Sequence, residues 1–242
     1  MNRKAFFDAI RGGVNLTTQN VIGFEKVLNY AEARGTPPTH LPYILATAFW
    51  ETAQTMHPVV EAYWLSEAWR RKNLRYYPWH GRGLIQTTWK DNYQRMGKEI
   101  GVDLIADPNL LLDWPAALPA LFVGMEKGLY TGKRLGDYID EKDEADDEDR
   151  REFINARRIV NGTDKQVAIA NLALTFERGL KAGGYDGKVA KRPLPDMIAP
   201  PLPDVPAAER QTPQMQPDQP ADETQPPAPA SWLSRLWKWI FS

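Results

Sequence analysis

Leu41-Pro-Tyr-Ile-Leu-Ala-Thr-Ala-Phe-Trp-Glu-Thr52 is apolar at almost every position until it reaches Glu51. The run is too long for an ordinary strand, and Pro42 suits the first turn of a helix, where its missing N–H costs nothing. Apolar residues on every face mean burial on every face, so the segment reads as a central helix. Working outward, Asn20 to Arg34 places Val21, Ile22, Phe24, Val27, Leu28 and Ala31 at helical spacing. Pro115 to Leu129 follows Asp113 as another apolar helix. Gln166 to Leu180 is a further one, closed by the glycine-rich Lys181 to Gly187. Strand-like alternation is scarce. The expected fold class is mainly α.

Glu51 sits at the end of this apolar stretch, where burial is expected to raise the pKa of a carboxyl group. A hydrolase working with two carboxylates needs one such acid, kept protonated, and a second that is ionised and activates water. Glu61 comes ten residues later, after His57 and Pro58. On one continuous helix that spacing separates the pair by about 15 Å, but Pro58 argues that the helix stops and the chain folds back. Glu67 competes for the second role, with a surface position on Ser66 to Lys72 as the plainer reading.

The stretch from Tyr76 to Tyr93, YYPWHGRGLIQTTWKDNY, adds small polar groups to this neighbourhood. Gly81 and Gly83 flank Arg82 and allow close approach of a ligand. Gln86, Thr87, Thr88 and Asn92 are suited to hold sugar hydroxyls or a water. Tyr76, Tyr77, Trp79, Trp89 and Tyr93 offer flat faces to sugar rings, though about half are expected to be core. Six of the nine tryptophans lie between Trp50 and Trp114, which points to a site there. A phosphate-cradling loop is a poor alternative, because neither a Walker lysine context nor a preceding strand is present.

Composition narrows the chemistry further. The chain has 242 residues with no cysteine, which excludes thiol nucleophiles and cysteine metal sites. Ser66 is the sole serine before Ser231 and lacks a glycine-flanked elbow. His40, His57 and His80 are the only histidines, no HExxH spacing occurs, and no metal or other cofactor is expected. Thirty basic and 31 acidic side chains give a net charge of -1, so no nucleic-acid partner is expected. The acidic run Asp140 to Arg150 reads as a solvated loop or helix surface. The sequons at Asn15 and Asn161 mean little without a secretory signal, and the first 13 residues do not make one.

The quoted motifs resemble the family 19 glycoside hydrolases. They are Ala46 to Gln54, Pro58 to Tyr63, Tyr76-Tyr77 with Gly81 to Tyr93, and Ile100 to Pro108. The phage-type lysozymes (endolysins) of that family are more similar than the plant chitinases, over roughly residues 5–185. The resemblance implies a bilobal, lysozyme-like helical domain with a catalytic cleft, cutting β-1,4 links of peptidoglycan or chitin with inversion. By position, Glu51 matches the general acid, Glu61 the general base and Thr88 the hydroxyl that holds the water. Gln86, Asn92 and Tyr93 match cleft positions, as do Arg158 and Asn161 in the late arginine–asparagine–glycine segment. Tyr77 and Arg82 join the expected substrate contacts. Trp50 stands where the family usually has histidine, and Pro78-Trp-His80 is an insertion.

The rest of the chain reads differently. Twelve of the 20 prolines fall between Pro193 and Pro229, so we expect a catalytic domain over 1–190 and a proline-rich linker over 191–230. Residues 231–242 form a short amphipathic element, with Trp232, Leu236, Trp237 and Trp239 on its apolar arc and Arg235 and Lys238 opposite. At about 18 Å it is too short to span a bilayer but suits its surface. The expectation is a monomeric endolysin that accumulates in the host cytoplasm and acts on peptidoglycan strands in the periplasm, with membrane contact through its tail. The alternatives are a chitinase with the same chemistry, and a non-catalytic glycan-binding or membrane-disrupting protein.

Overall fold

The computed structural model describes residues 1–140, 142 and 146–189. The expected linker, the tail with Trp232, Leu236, Trp237 and Trp239 expected to bind a membrane, and part of the acidic run lie outside the described residues. Eight α-helices are present among the described ones: α1 Arg3–Ile10, α2 Thr18–Arg34, α3 Leu41–Glu51, α4 Glu67–Asn73, α5 Lys90–Ile100, α6 Trp114–Glu126, α7 Asp146–Ala156 and α8 Gln166–Gly183. A two-stranded antiparallel sheet, β1 Val59–Val60 and β2 Arg82–Gly83, pairs Val59 with Gly83 and Val60 with Arg82. The mainly helical expectation holds.

Local chemistry explains most boundaries. Thr17 caps α2 through a reciprocal box with Asn20, each side chain accepting from the other's backbone N–H. Ser66 caps α4 by accepting from the Trp69 N–H. Acids Asp146 to Asp149 fill the first turn of α7, where they complement the helix dipole. The segment read as a solvated surface is thus partly this helix. α3 ends at Glu51, within one residue of its expected end at Thr52 and before Pro58, and Ala53, Gln54 and Met56 all take positive φ in the turn that follows.

α3 is the central element, buried along nearly its whole length. It packs on α8, which also receives α1 and α7. Phe24, Phe49 and Phe176 meet at its core with ring centroids 5.3–5.8 Å apart. A second, smaller apolar cluster joins Tyr93 and Met96 of α5 to Leu104, Leu111, Ala116 and Ala120. The β hairpin lies against this second cluster through α6 and the turn at 108–112. Glu51 therefore ends an element of the large core, while Glu61 extends a strand packed on the small one.

Candidate active site

Glu51 is 7% exposed. The turn after it is fixed by Thr52, whose hydroxyl donates to Ala48 O at 2.8 Å and accepts from the Met56 N–H at 2.9 Å. Gly23 of α2 presses on this turn so closely that a Cβ there would sit 2.1 Å from Met56 O. The surroundings are not purely apolar as the sequence suggested. Arg157, fully buried, donates from Nη1 to Glu51 Oε1 at 2.9 Å and from Nε to Asp164 O at 3.0 Å. Sequence reasoning selected its neighbour Arg158 instead. Nothing in an arginine doublet says which member turns inward.

Glu61 follows β1 and is pinned on three sides. Its backbone N–H donates to Gly81 O at 2.7 Å, while the Gly81 N–H donates back to Oε2 at 2.8 Å. The Tyr76 hydroxyl donates to Oε1 at 2.6 Å. Burial pushes the Glu61 pKa above the usual carboxylate range, against the opposing pull of these two donors and of Arg82 and Arg70. A Cβ on residue 81 would lie 2.6 Å from Gln86 Oε1 and 3.3 Å from Glu61 Oε2, so glycine is what the close approach demands. Glu67 is exposed and paired with Arg70 at 2.8 Å, which leaves Glu61 as the better placed carboxylate.

The loop behind Glu61 is braced from within. Arg82 is 4% exposed and donates to Pro78 O, His80 O, the Tyr93 hydroxyl and Asn109 Oδ1 at 2.8–3.2 Å. Tyr93 is fully buried and donates to His80 O at 2.6 Å. Tyr93 and the Nε and Nη1 of Arg82 are committed to internal struts. Gln86 donates from Nε2 to Val59 O and Gly83 O, tying the two strands together. Thr88, half-buried, donates to Gln86 O at 2.9 Å, and its own carbonyl accepts from Asn92 Nδ2. Tyr77, half-buried, stacks on His80 with centroids 5.5 Å apart.

The late segment splits between inside and outside. Arg158 is exposed and donates to Asn155 Oδ1 at 2.7 Å, while Asn161 is half-buried and its backbone N–H donates to Arg157 O. Tyr130 was not anticipated. Its hydroxyl lies 3.3 Å from Thr87 Oγ1 and feels the charge of Glu51, with burial holding its pKa high. Since Arg82 and Thr87 exchange backbone hydrogen bonds, Tyr130 reaches the turn that follows β2. Strain gathers here too. Six of the seven positive-φ non-glycine residues among those described lie between Ala53 and Trp89, each at a cost of roughly 1–3 kcal/mol. Such clustering belongs to segments that the surroundings over-determine, as at active sites.

Residues 42–118 match the glycoside hydrolase family 19 model, described as Chitinase class I. That segment holds Glu51, Glu61 and the entire glycine–arginine–glycine loop. The fold is similar to that of chitinase C from Streptomyces griseus HUT6037, with a TM-score of 0.50 and 17% identity over 77% of this chain and 78% of that one. A point mutant of chitinase C gives a TM-score of 0.46 and 15% identity over 76% and 92%. No curated protein matches the chain. The family match supports a glycosidase, and the structural likeness supports the lysozyme-like helical fold.

Proposed function

We propose that this glycosidase cuts β-1,4 bonds in bacterial peptidoglycan by general acid/base catalysis. Glu51 protonates the leaving oxygen, and the Arg157 guanidinium on its Oε1 stabilises the carboxylate that remains once the proton has gone. Glu61 takes a proton from the water that attacks the anomeric carbon from the opposite face, and Thr88 helps to hold that water. The grip on Glu61 is the observation that carries the reading. Donors to both of its oxygens keep it an acceptor, and burial makes it a stronger base than an exposed carboxylate. Gln86 through its Oε1 and the Asn161 side chain are the polar groups best placed to meet the sugar, with Asn92, Arg158 and Tyr77 at the margins.

The same chemistry on chitin is the second reading, favoured by the description of the matched family. Mass spectrometry of fragments released from purified sacculi and from colloidal chitin separates the two. Disaccharide-peptide products from sacculi, with little soluble sugar from chitin, are expected; the reverse pattern assigns the protein to chitin. In the peptidoglycan reading the protein is a monomeric endolysin that gathers in the host cytoplasm and acts at the periplasmic wall. The tail at 231–242 then binds an anionic membrane surface, and deleting it is expected to abolish liposome binding while sacculus hydrolysis persists. Unchanged liposome binding would remove the membrane role.

A further inference from the structure

Arg75 is exposed, and no carboxylate pairs with it among the described residues. Its guanidinium instead lies over the ring of Trp89, 5.5 Å from the centroid. Trp89 is itself 38% exposed and is held at φ 74°, a backbone geometry that an aromatic residue adopts only under constraint. The chain of contacts runs directly to the base: Trp89 meets Tyr76 with ring centroids 5.0 Å apart, and the Tyr76 hydroxyl donates to Glu61. The setting is cationic. Between residues 67 and 98 the sequence carries eight lysines and arginines against two acids. Most of these cations are exposed or paired elsewhere; Arg75 is the one fixed on an exposed ring beside the candidate base.

The part of the ring that stays exposed beside the guanidinium suits the apolar side of a pyranose. The guanidinium packed on the ring, with unused N–H groups in a planar fork, suits a carboxylate. A neutral N-acetylglucosamine polymer has no group for it. We infer that Arg75 and Trp89 form a specificity element for a glycan strand that carries carboxylates, the ring taking the sugar and the guanidinium taking a lactyl or stem-peptide carboxylate. The inference rests on the proposed peptidoglycan hydrolase reading and narrows it to a named pair of side chains.

The test compares wild type, Arg75→Gln and Arg75→Lys on three ligands: soluble peptidoglycan strands with stem peptides, strands stripped to the free lactyl carboxylate by an amidase, and a neutral N-acetylglucosamine hexamer. Calorimetric affinities are measured on each in a Glu51→Gln background, and kcat and KM in the active protein. The ratio of affinity for carboxylated strands over the neutral hexamer is expected to fall about tenfold or more in Arg75→Gln. KM is expected to rise more than kcat falls, with Arg75→Lys restoring part of the ratio. Loss only on the stripped strands assigns the lactyl group, whose carboxyl is tied up as an amide when stems are present; loss only with stems present assigns the peptide, and loss on both assigns the guanidinium to either carboxylate. An unchanged ratio, or equal weakening on the neutral hexamer, overturns the inference. The affinity ratio is read without turnover, so an inactive wild type would count against the hydrolase reading while leaving this inference to its own result.

Discussion

Arg157 Nη1 lies 2.9 Å from Glu51 Oε1, an ion pair between residues 106 apart in the chain that joins the end of α3 to the turn after α7. Both side chains are buried, 0% and 9% exposed. The pair ties the candidate acid to the large core instead of leaving it in an apolar pocket. Removing the arginine strands a buried carboxylate, and breaking such pairs costs about 3–5 kcal/mol.

Arg157→Ala is therefore expected to lower stability by roughly that amount, while Arg158→Ala changes it by less than about 0.5 kcal/mol. Urea unfolding of both variants at pH 7 checks this. Equal, small effects from the two substitutions would mean that the buried pair carries no such weight.

Tyr76→Phe removes the 2.6 Å bond to Glu61 Oε1 and leaves the ring packing in place. That bond favours the charged carboxylate, so its loss raises the Glu61 pKa further. A base works only when ionised, and the acidic limb of the pH–rate profile is expected to move to higher pH. The alkaline limb stays put. An acidic limb that stays fixed would detach Tyr76 from the base.

His80 is fully buried with neither ring nitrogen hydrogen-bonded, and burial together with the Arg82 charge lowers its pKa to about 4. An unfolded histidine titrates near 6.5. The folded pKa is the lower one, so the stability from keeping His80 neutral is complete above about pH 6.5 and lost as pH falls towards 4. The total is roughly 3 kcal/mol. His80→Phe is expected to flatten the fall in stability across that window. Denaturant midpoints at pH 7, 5.5 and 4 decide it, and parallel curves for the two proteins would refute it.

The sequence made the apolar helices legible because their periodicity is strong, and α3, α6 and α8 all appear close to where the pattern placed them. It also marked Glu51 and the Gly81–Gly83 turn. What it hid was set by long-range packing. The inward turn of Arg157, the hydroxyl of Tyr76 on Glu61 and the reach of Tyr130 to Thr87 depend on contacts 15 to 106 residues apart. Arg82 and Tyr93 show the opposite failure: residue types that suit a sugar cleft are occupied as struts within the loop. The tight turn after α3 was hidden for a local reason, since positive φ at Ala53, Gln54 and Met56 has no glycine to announce it.

The central claim is that Glu51 and Glu61 divide one acid/base reaction between them. The most direct measurement is the rate of glycan cleavage in purified sacculi by wild type, Glu51→Gln and Glu61→Gln, each confirmed folded by circular dichroism. Each substitution is expected to slow cleavage by at least about 100-fold. Wild-type cleavage by either variant would contradict the account.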